Sequence, residues 1–336
     1  MKKIVVDAGR SSIKSIHIKA GKFIKNKFDS KLGIANFDFL KTTPVITFDK
    51  TKDTIAKIDD SKPLIMGETC DMLLAPEKII YAGNDEIYLK YAIHYTLVSV
   101  ARFAEDNDEV VLAINLTFNN INHTDEIKEK LKKEHCVTFY NTTGKILKKV
   151  TFKIVKLLVF YQGWTSVISK ALNKNLEINE TYLKDGIIID IGRKTTDIAL
   201  VRKLANAKGR SFEHATENIF SYIGDILYQK YSITKDTKDI ESLIVNDDTI
   251  YSRNGDEIKI RDHLKEAVLV VAEQIKASII ENFGAYTPSW VILTGGGVVY
   301  FQDILKFLFK NLVVMEDYIF SNSIGMAKLL QKFEGK

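Results

Sequence analysis

Cysteine is almost missing from this chain. Cys70 and Cys136 are the only two in 336 residues, and no C-x-x-C pair occurs. A disulfide scaffold, a cysteine zinc site and a dithiol redox motif are therefore excluded, and both thiols read as small buried apolar residues. Proline is as scarce, with four in all and none between Pro76 and Pro288. No Pro-rich or Gly/Ser-rich linker separates two halves, so any two domains must join through a rigid element or a discontinuous boundary. Arginine is outnumbered by lysine, 7 to 41, although the formal net charge is +5. Base-edge readout leans on bidentate arginine, so direct sequence-specific nucleic-acid binding is not expected. The densest lysine run, Lys128 to Lys133, lies between Glu126 and Glu134 and reads as a solvated helix face.

No apolar stretch approaches the roughly 20 residues of a membrane-spanning helix. The N-terminus, MKKIVVDAGRSS, has too short an apolar run for a secretory leader, which needs about 7–15 apolar residues. A cytoplasmic protein without membrane attachment is the expectation. Neither G-x-x-x-x-G-K-[ST] nor G-x-G-x-x-G occurs, and the histidines form no H-E-x-x-H pattern. Walker, Rossmann and zincin sites are thereby removed.

What remains is an ordinary globular composition, 46% hydrophobic and 27% charged, long enough for about two domains. Short strands are predicted at 2–6, 13–18, 44–48, 64–66 and 109–116, followed by a long one over 146–160. Tyr88, Tyr91, Ala92, Tyr95 and Val98 recur at helical spacing, as a core-facing stripe does. A charged helix is predicted over about 124–135, and Trp164, Val167, Ile168, Ala171 and Leu172 fit one helix face. Downstream, helices are predicted near 222–231 and 236–245, with a hairpin around Asn254-Gly255. A long helix should run from an N-cap at Asp262 to about Phe283. Strands at 290–294 and 312–315 and helices at about 301–310 and 322–333 complete the chain.

Chemistry enters through an internal echo. DAGRSSIKSIHI (7–18) and DIGRKTTDIALV (190–201) share one pattern: apolar strand, Asp, Gly two residues on, Arg, hydroxyl residues, second strand. Each reads as a β-hairpin whose tip, at Gly9 or Gly192, lets backbone N–H groups approach an anion. Ser11, Ser12, Thr195 and Thr196 add hydroxyl donors suited to phosphate oxygens. Asp7 and Asp190 would repel phosphate unless a divalent cation bridges them, so Mg²⁺ is implied. One such turn is common, but two with matching flanks are not. A third element, LTGGGVV (293–299), runs a strand straight into three glycines, as close backbone approach to a flat ligand requires.

Two Asp-Gly phosphate hairpins followed by a strand-Gly-Gly-Gly turn resemble the actin/Hsp70/hexokinase superfamily of ATPases. Within it, the compact length and the early first hairpin look like the plasmid-partitioning bacterial actins, the ParM group. GETCDML (67–73), AINL (113–116) and IGDIL (223–227) fall in the expected order. The resemblance implies an α/β fold of two actin-like (ribonuclease H-like) domains, mixed sheets flanked by helices, with the nucleotide in the cleft between them. Domain I would comprise 1–160 plus 322–336, and domain II 161–321.

The resemblance also implies roles. Asp7 would hold the Mg²⁺ water shell, and Gly9, Arg10, Ser11, Ser12 and Lys14 would line the first phosphate loop. Asp190 would order attacking or Mg²⁺-bound water, with Gly192, Arg193, Lys194 and Thr195 forming the second loop. Gly224 would lie near the terminal phosphate, and Gly295, Gly296 and Gly297 would form the adenosine turn. Glu273 and Lys276 read as a solvated face rather than nucleoside contacts. Gln162, in VFYQGWTS (159–166), falls where ParM-like proteins carry a catalytic Glu, and would orient water. Asn115 departs from the Gly-Leu-Pro type of turn found there.

The implied function is an ATPase, using ATP with GTP as the alternative and Mg²⁺. It would polymerise into dynamic filaments and segregate plasmid DNA through an adaptor protein on the plasmid centromere. A small-molecule kinase of the same superfamily and a non-hydrolysing nucleotide-gated scaffold are the alternatives. No carboxylate besides Asp190 stands out as a base for an acceptor hydroxyl.

Overall fold

A computed structural model describes residues 1–40, 53–81, 85–284 and 287–334. The chain divides into two compact units, one formed by Met1–Ile178 with Phe320–Lys336, the other by Asn179–Ile319.

The first unit contains β1 (Lys2–Ala8), β2 (Ser12–Lys19), β3 (Lys22–Asp29), β4 (Lys31–Ile34), β5 (Asp53–Ile58), β6 (Leu64–Gly67), β7 (Ile80–Tyr81), β8 (Asp108–Leu116), β9 (Glu134–Tyr140) and β10 (Ile146–Tyr161). Its helices are α1 (Phe37–Leu40), α2 (Thr69–Leu73), α3 (Asp85–Phe103), α4 (Thr124–Leu131) and α5 (Trp164–Ala171). All the strands join one sheet, in the order β3-β2-β1-β8-β10-β9-β5-β6-β4-β7. β1, β2 and β3 form an antiparallel meander, and β8 and β10 add parallel to β1. The central strands are buried on both faces, which is why IVV and VVLAI read as continuous apolar runs without alternation. Ile4, Val6, Leu112 and Ile114 point into a core shared with Tyr95, Val98 and Ile127. Val5, Ala113 and Ile16 point the other way, onto Met326, Ala327 and Leu330 of the C-terminal helix.

The second unit contains β11 (Gly186–Ile191), β12 (Thr196–Arg202), β13 (Ala205–Phe212), β14 (Thr249–Tyr251), β15 (Glu257–Lys259), β16 (Trp290–Thr294) and β17 (Leu312–Val314). Its helices are α6 (Thr216–Tyr231), α7 (Thr237–Asn246), α8 (Ile260–Phe283) and α9 (Val298–Leu308). α10 (Ser321–Glu334) then closes the chain in the first unit. The main sheet runs β13-β12-β11-β16-β17 and repeats the arrangement β3-β2-β1-β8-β10: an antiparallel meander, then two parallel strands. Residues 4 and 190 lie in different sheets, so each hairpin opens its own α/β unit.

Several boundaries differ from the sequence reading. Residues 161–178, expected in the second domain, belong to the first unit, because α5 packs tightly on α10. A Cβ on Gly325 of α10 would lie 1.7 Å from the Thr165 carbonyl oxygen, so only glycine permits this approach. Lys328 Nζ also donates to the Ser169 carbonyl at 2.6 Å. The charged helix stops at Leu131, and the chain re-enters the sheet as β9. There His135 is buried, with Nδ1 2.9 Å from Asp59 and Nε2 3.1 Å from the Leu131 carbonyl. α6 starts at Thr216, six residues before the predicted start, and α8 starts at Ile260, leaving Asp262 inside its first turn. Cys70 is buried as expected, whereas Cys136 is half-exposed. The strand predicted at 44–48 lies outside the described residues, as does the side chain of Tyr88.

Candidate active site

The two Asp-x-Gly-Arg turns fold alike. In the first, Asp7 pairs with Lys14 and Ala8 with Ile13. In the second, Asp190 pairs with Asp197 and Ile191 with Thr196. Counted outward from the aspartate, the registers are identical. A Cβ on Gly9 would lie 2.8 Å from the Ser12 carbonyl, and one on Gly192 would lie 3.0 Å from the Thr195 carbonyl. The tightness of the turn itself therefore demands glycine, before any ligand is considered. In the second turn the Gly192 N–H donates to that same Thr195 carbonyl at 2.8 Å.

In the first unit, three parallel strands end side by side. Asp7 follows the last β1–β8 pair, Val6–Ile114, by one residue, and Asn115 of β8 lies opposite Phe160 of β10. The Gln162 N–H donates to the Leu116 carbonyl at 2.8 Å, which holds the end of β10 against β8. Asp7 is 2% exposed and its Oδ2 lies 3.7 Å from Lys14 Nζ. Alternation along the strands puts Asp7 and Asn115 on the face that carries Val5 and Ala113, the α10 side. Asn115 is 3% exposed, and neither its Nδ2 nor its Oδ1 has a hydrogen-bond partner among the described residues; the buried Thr117 hydroxyl is likewise unpartnered. Each such orphan costs about 1–3 kcal/mol when the protein stands alone.

Gln162 is half-buried, between Tyr161, stacked on Phe118 at 5.3 Å, and Gly163, which takes φ +78° as the N-cap of α5. α5 is capped from a distance. Asn322 Oδ1 accepts from the Gly163 N–H at 3.0 Å, the Thr165 hydroxyl at 2.7 Å and the Ser166 hydroxyl at 2.9 Å. Gln162 thus belongs wholly to the first unit.

In the second unit, Asp190 is 4% exposed and lies beside Thr294 across the β11–β16 pair. Gly295 follows with φ +88°, and a Cβ there would sit 2.4 Å from Asp190 Oδ1 and 2.3 Å from the Ile191 carbonyl. The Gly297 N–H donates to that carbonyl at 2.8 Å, and a Cβ on Gly297 would strike the Ile191 side chain at 2.5 Å. Two of the three glycines are therefore required by contact with β11. Gly296 alone borders open space, and it immediately precedes the N-cap of α9.

Other expected ligands of the second loop are engaged elsewhere. The Arg193 guanidinium pairs with Glu241 and lies 3.7 Å from Glu217, and Lys194 lies 3.9 Å from Glu217. The Gly192 and Arg193 carbonyls accept from the Thr216 and Glu217 N–H groups that open α6. The Thr196 hydroxyl donates to the His214 carbonyl. Gly224 lies on α6 against α7, where a Cβ would meet Ile240 at 3.2 Å. Glu273 and Lys276 pair with each other at 3.3 Å on the exposed side of α8. Burial, with Glu241 adding to it, pushes the Tyr300 hydroxyl above the ordinary tyrosine range.

Two buried polar residues beside these turns escaped the sequence reading. Asn115 is a lone polar side chain inside the apolar run VVLAINL, and that isolation was the available signal. Asp197 is buried opposite Asp190 and accepts from the Ser211 hydroxyl. A register count from the turn would have found it.

These donors fit a magnesium nucleotide. Among the described residues no three His, Cys, Asp or Glu side chains form a ready cation cage. A Mg²⁺ that keeps most of its waters needs only one or two carboxylates, and each unit, taken by itself, carries one buried candidate, Asp7 in the first and Asp190 in the second. No helix among the described residues is long and apolar enough to cross a membrane.

Residues 188–307 match the family model described as archaeal actin homologue MreB-like, C-terminal. No curated protein matches the chain by sequence. Among solved structures, the archaeal actin homologue Ta0583 is 16% identical with a TM-score of 0.73, covering 99% of this chain and 100% of that one. A ParM from Clostridium botulinum, solved as a 15-stranded filament, is 18% identical with a TM-score of 0.73 and covers 99% of both chains. ParM from Bacillus thuringiensis, solved with AMPPNP, is 18% identical with a TM-score of 0.69 and covers 99% of both chains. The chain has the actin-like fold of two α/β units, and the resemblance expected from its motifs extends over its whole length.

Proposed function

We propose that this chain is an actin-like ATPase that binds Mg-ATP through both hairpin tips and assembles into nucleotide-dependent filaments. One observation carries the reading: two hairpins of identical register each place a buried aspartate at the end of a strand, and a triple-glycine turn packs against the second of them. When bound, Mg-ATP supplies the electrophilic γ-phosphorus and a cation that neutralises developing charge. Backbone N–H groups of both turns, with the hydroxyls of Ser11, Ser12 and Thr195, hold phosphate oxygens. Lys14, already beside Asp7, offsets phosphate charge, and Asp7 and Asp190 hold cation-bound water. Gln162 orients the attacking water, since an amide donates and accepts without acting as a base. Gly296 leaves room for the nucleoside to lie against the backbone. Arg193, held by Glu217 and Glu241, buttresses its turn.

Filament assembly is supported by the ParM relative solved as a filament. Hydrolysis then weakens contacts between successive subunits, and plasmid DNA is carried through an adaptor in the cytoplasm. Calorimetry with Mg-ATP and Mg-GTP, phosphate release without any acceptor, and negative-stain imaging test the reading together. Binding, acceptor-free release and filaments that require ATP are expected. Pelleting that is indifferent to ATP, ADP and no nucleotide would contradict assembly, and release that needs an added acceptor would favour a kinase. Asp190→Ala is expected to abolish hydrolysis more completely than binding; equal loss of both would make Asp190 a binding residue only.

A further inference from the structure

We infer that Asn115, with Thr117 beside it, contacts the phosphate-and-hydrated-cation end of the bound nucleotide, an assignment that rests on the nucleotide reading above. The carboxamide ends β8, between the strand carrying Asp7 and the strand that leads into Gln162. It shares its sheet face with Asp7. Both of its polar atoms and the Thr117 hydroxyl are buried without a protein partner among the described residues. An asparagine kept for structure spends its donors and acceptors on its own chain, because an orphaned polar group destabilises the fold. Here the chain leaves all of them unused at strand ends that also carry an acidic group and a lysine.

The chemistry of the group defines what it meets. The Nδ2 donors suit an anionic phosphate oxygen, and Oδ1 suits a proton of cation-bound water. Asn115 and Thr117 are therefore latent hydrogen-bonding groups that become satisfied only when the nucleotide and its cation arrive. Ligand binding to such a site raises the stability of the folded state by RT ln(1 + [L]/Kd), so tighter binding gives a larger shift.

The test compares the full chain with Asn115→Leu, which has a similar size and no polar atom, and with Thr117→Val. Thermal unfolding without nucleotide is measured first, then calorimetric affinity for Mg-AMPPNP. Asn115→Leu is expected to melt at or above the wild-type temperature without nucleotide and to bind Mg-AMPPNP about 10-fold or more weakly. Thr117→Val should shift in the same direction by a smaller factor. A lowered melting temperature with unchanged affinity would overturn the inference, assigning Asn115 to structure or to an enclosed water. Should Asn115→Leu fail to fold, Asn115→Asp keeps the shape and places a second carboxylate near Asp7. The carboxylate has no N–H to donate and repels phosphate oxygens, so Mg-AMPPNP affinity is expected to fall about 10-fold or more, and an unchanged affinity would overturn the inference. Wild-type protein that fails to bind Mg-AMPPNP at all would instead remove the nucleotide reading itself.

Discussion

Replacing Asn322 by leucine removes one oxygen on which three donors converge. The Gly163 N–H, the Thr165 hydroxyl and the Ser166 hydroxyl all point at Asn322 Oδ1, between 2.7 and 3.0 Å away. Ser166 keeps an alternative, the Ser321 hydroxyl at 2.8 Å, so two groups are stranded in a buried site. At about 1–3 kcal/mol for each orphan, the gross loss is about 2–6 kcal/mol. Burying the leucine methyls returns about 1–2 kcal/mol, leaving a net destabilisation of about 2.5 kcal/mol at the middle of both ranges. For a unit of this size that is roughly 5–10 °C in melting temperature. Tryptophan placement provides the assay, because Trp164 lies in the first unit and Trp290 in the second. In a Trp290→Phe background, Trp164 fluorescence during urea unfolding reports the first unit. Asn322→Asp preserves the oxygen, and its charge sits favourably at the N-terminus of α5, so it should lose much less. A loss below about 1 kcal/mol for the leucine variant, or an equal loss for the aspartate, would refute the capping role.

Gln162→Ala is expected to slow ATP hydrolysis about 10-fold or more, a barrier increase of about 1.4 kcal/mol, and to lengthen filament lifetime; unchanged release by assembled protein would leave Gln162 without a role in water positioning. Gly295→Ala forces a side chain into φ +88° against the Ile191 carbonyl and should destabilise the second unit by about 3 kcal/mol or more. Gly296→Ala, in open space, should stay within about 1 kcal/mol, and equal losses by denaturant unfolding would contradict this division of the glycines. Burial, reinforced by Lys2 and Lys19 and opposed by Asp108 and Glu105, holds His17 below its ordinary value of 6.5. The unfolded chain therefore binds more protons as pH falls below about 7, so stability present above the unfolded value is lost on acidification towards the folded one. His17→Gln should flatten that part of the stability–pH curve, and an unaltered slope would place the acid sensitivity elsewhere.

The aspartate turns, the triple glycine, the Asn254-Gly255 hairpin and most elements were legible in the sequence because each rests on local chemistry. Strand alternation, helical spacing and glycine at a tight turn are settled within a few neighbouring residues. The boundary of the units was not legible, because it depends on a glycine of α10 touching the Thr165 carbonyl. Nor were the contacts that Arg193, Thr196 and Gly224 make within the chain. Arg193 is committed to Glu241, a carboxylate far along the chain, and Gly224 to Ile240 on the next helix. Asn115 shows the converse. Its residue type announced only a polar interruption in a strand, and tertiary burial alone showed that its hydrogen bonds are left unmade. A motif fixes the backbone path, but a side chain's role depends on which distant groups reach it, and only the folded chain brings them together.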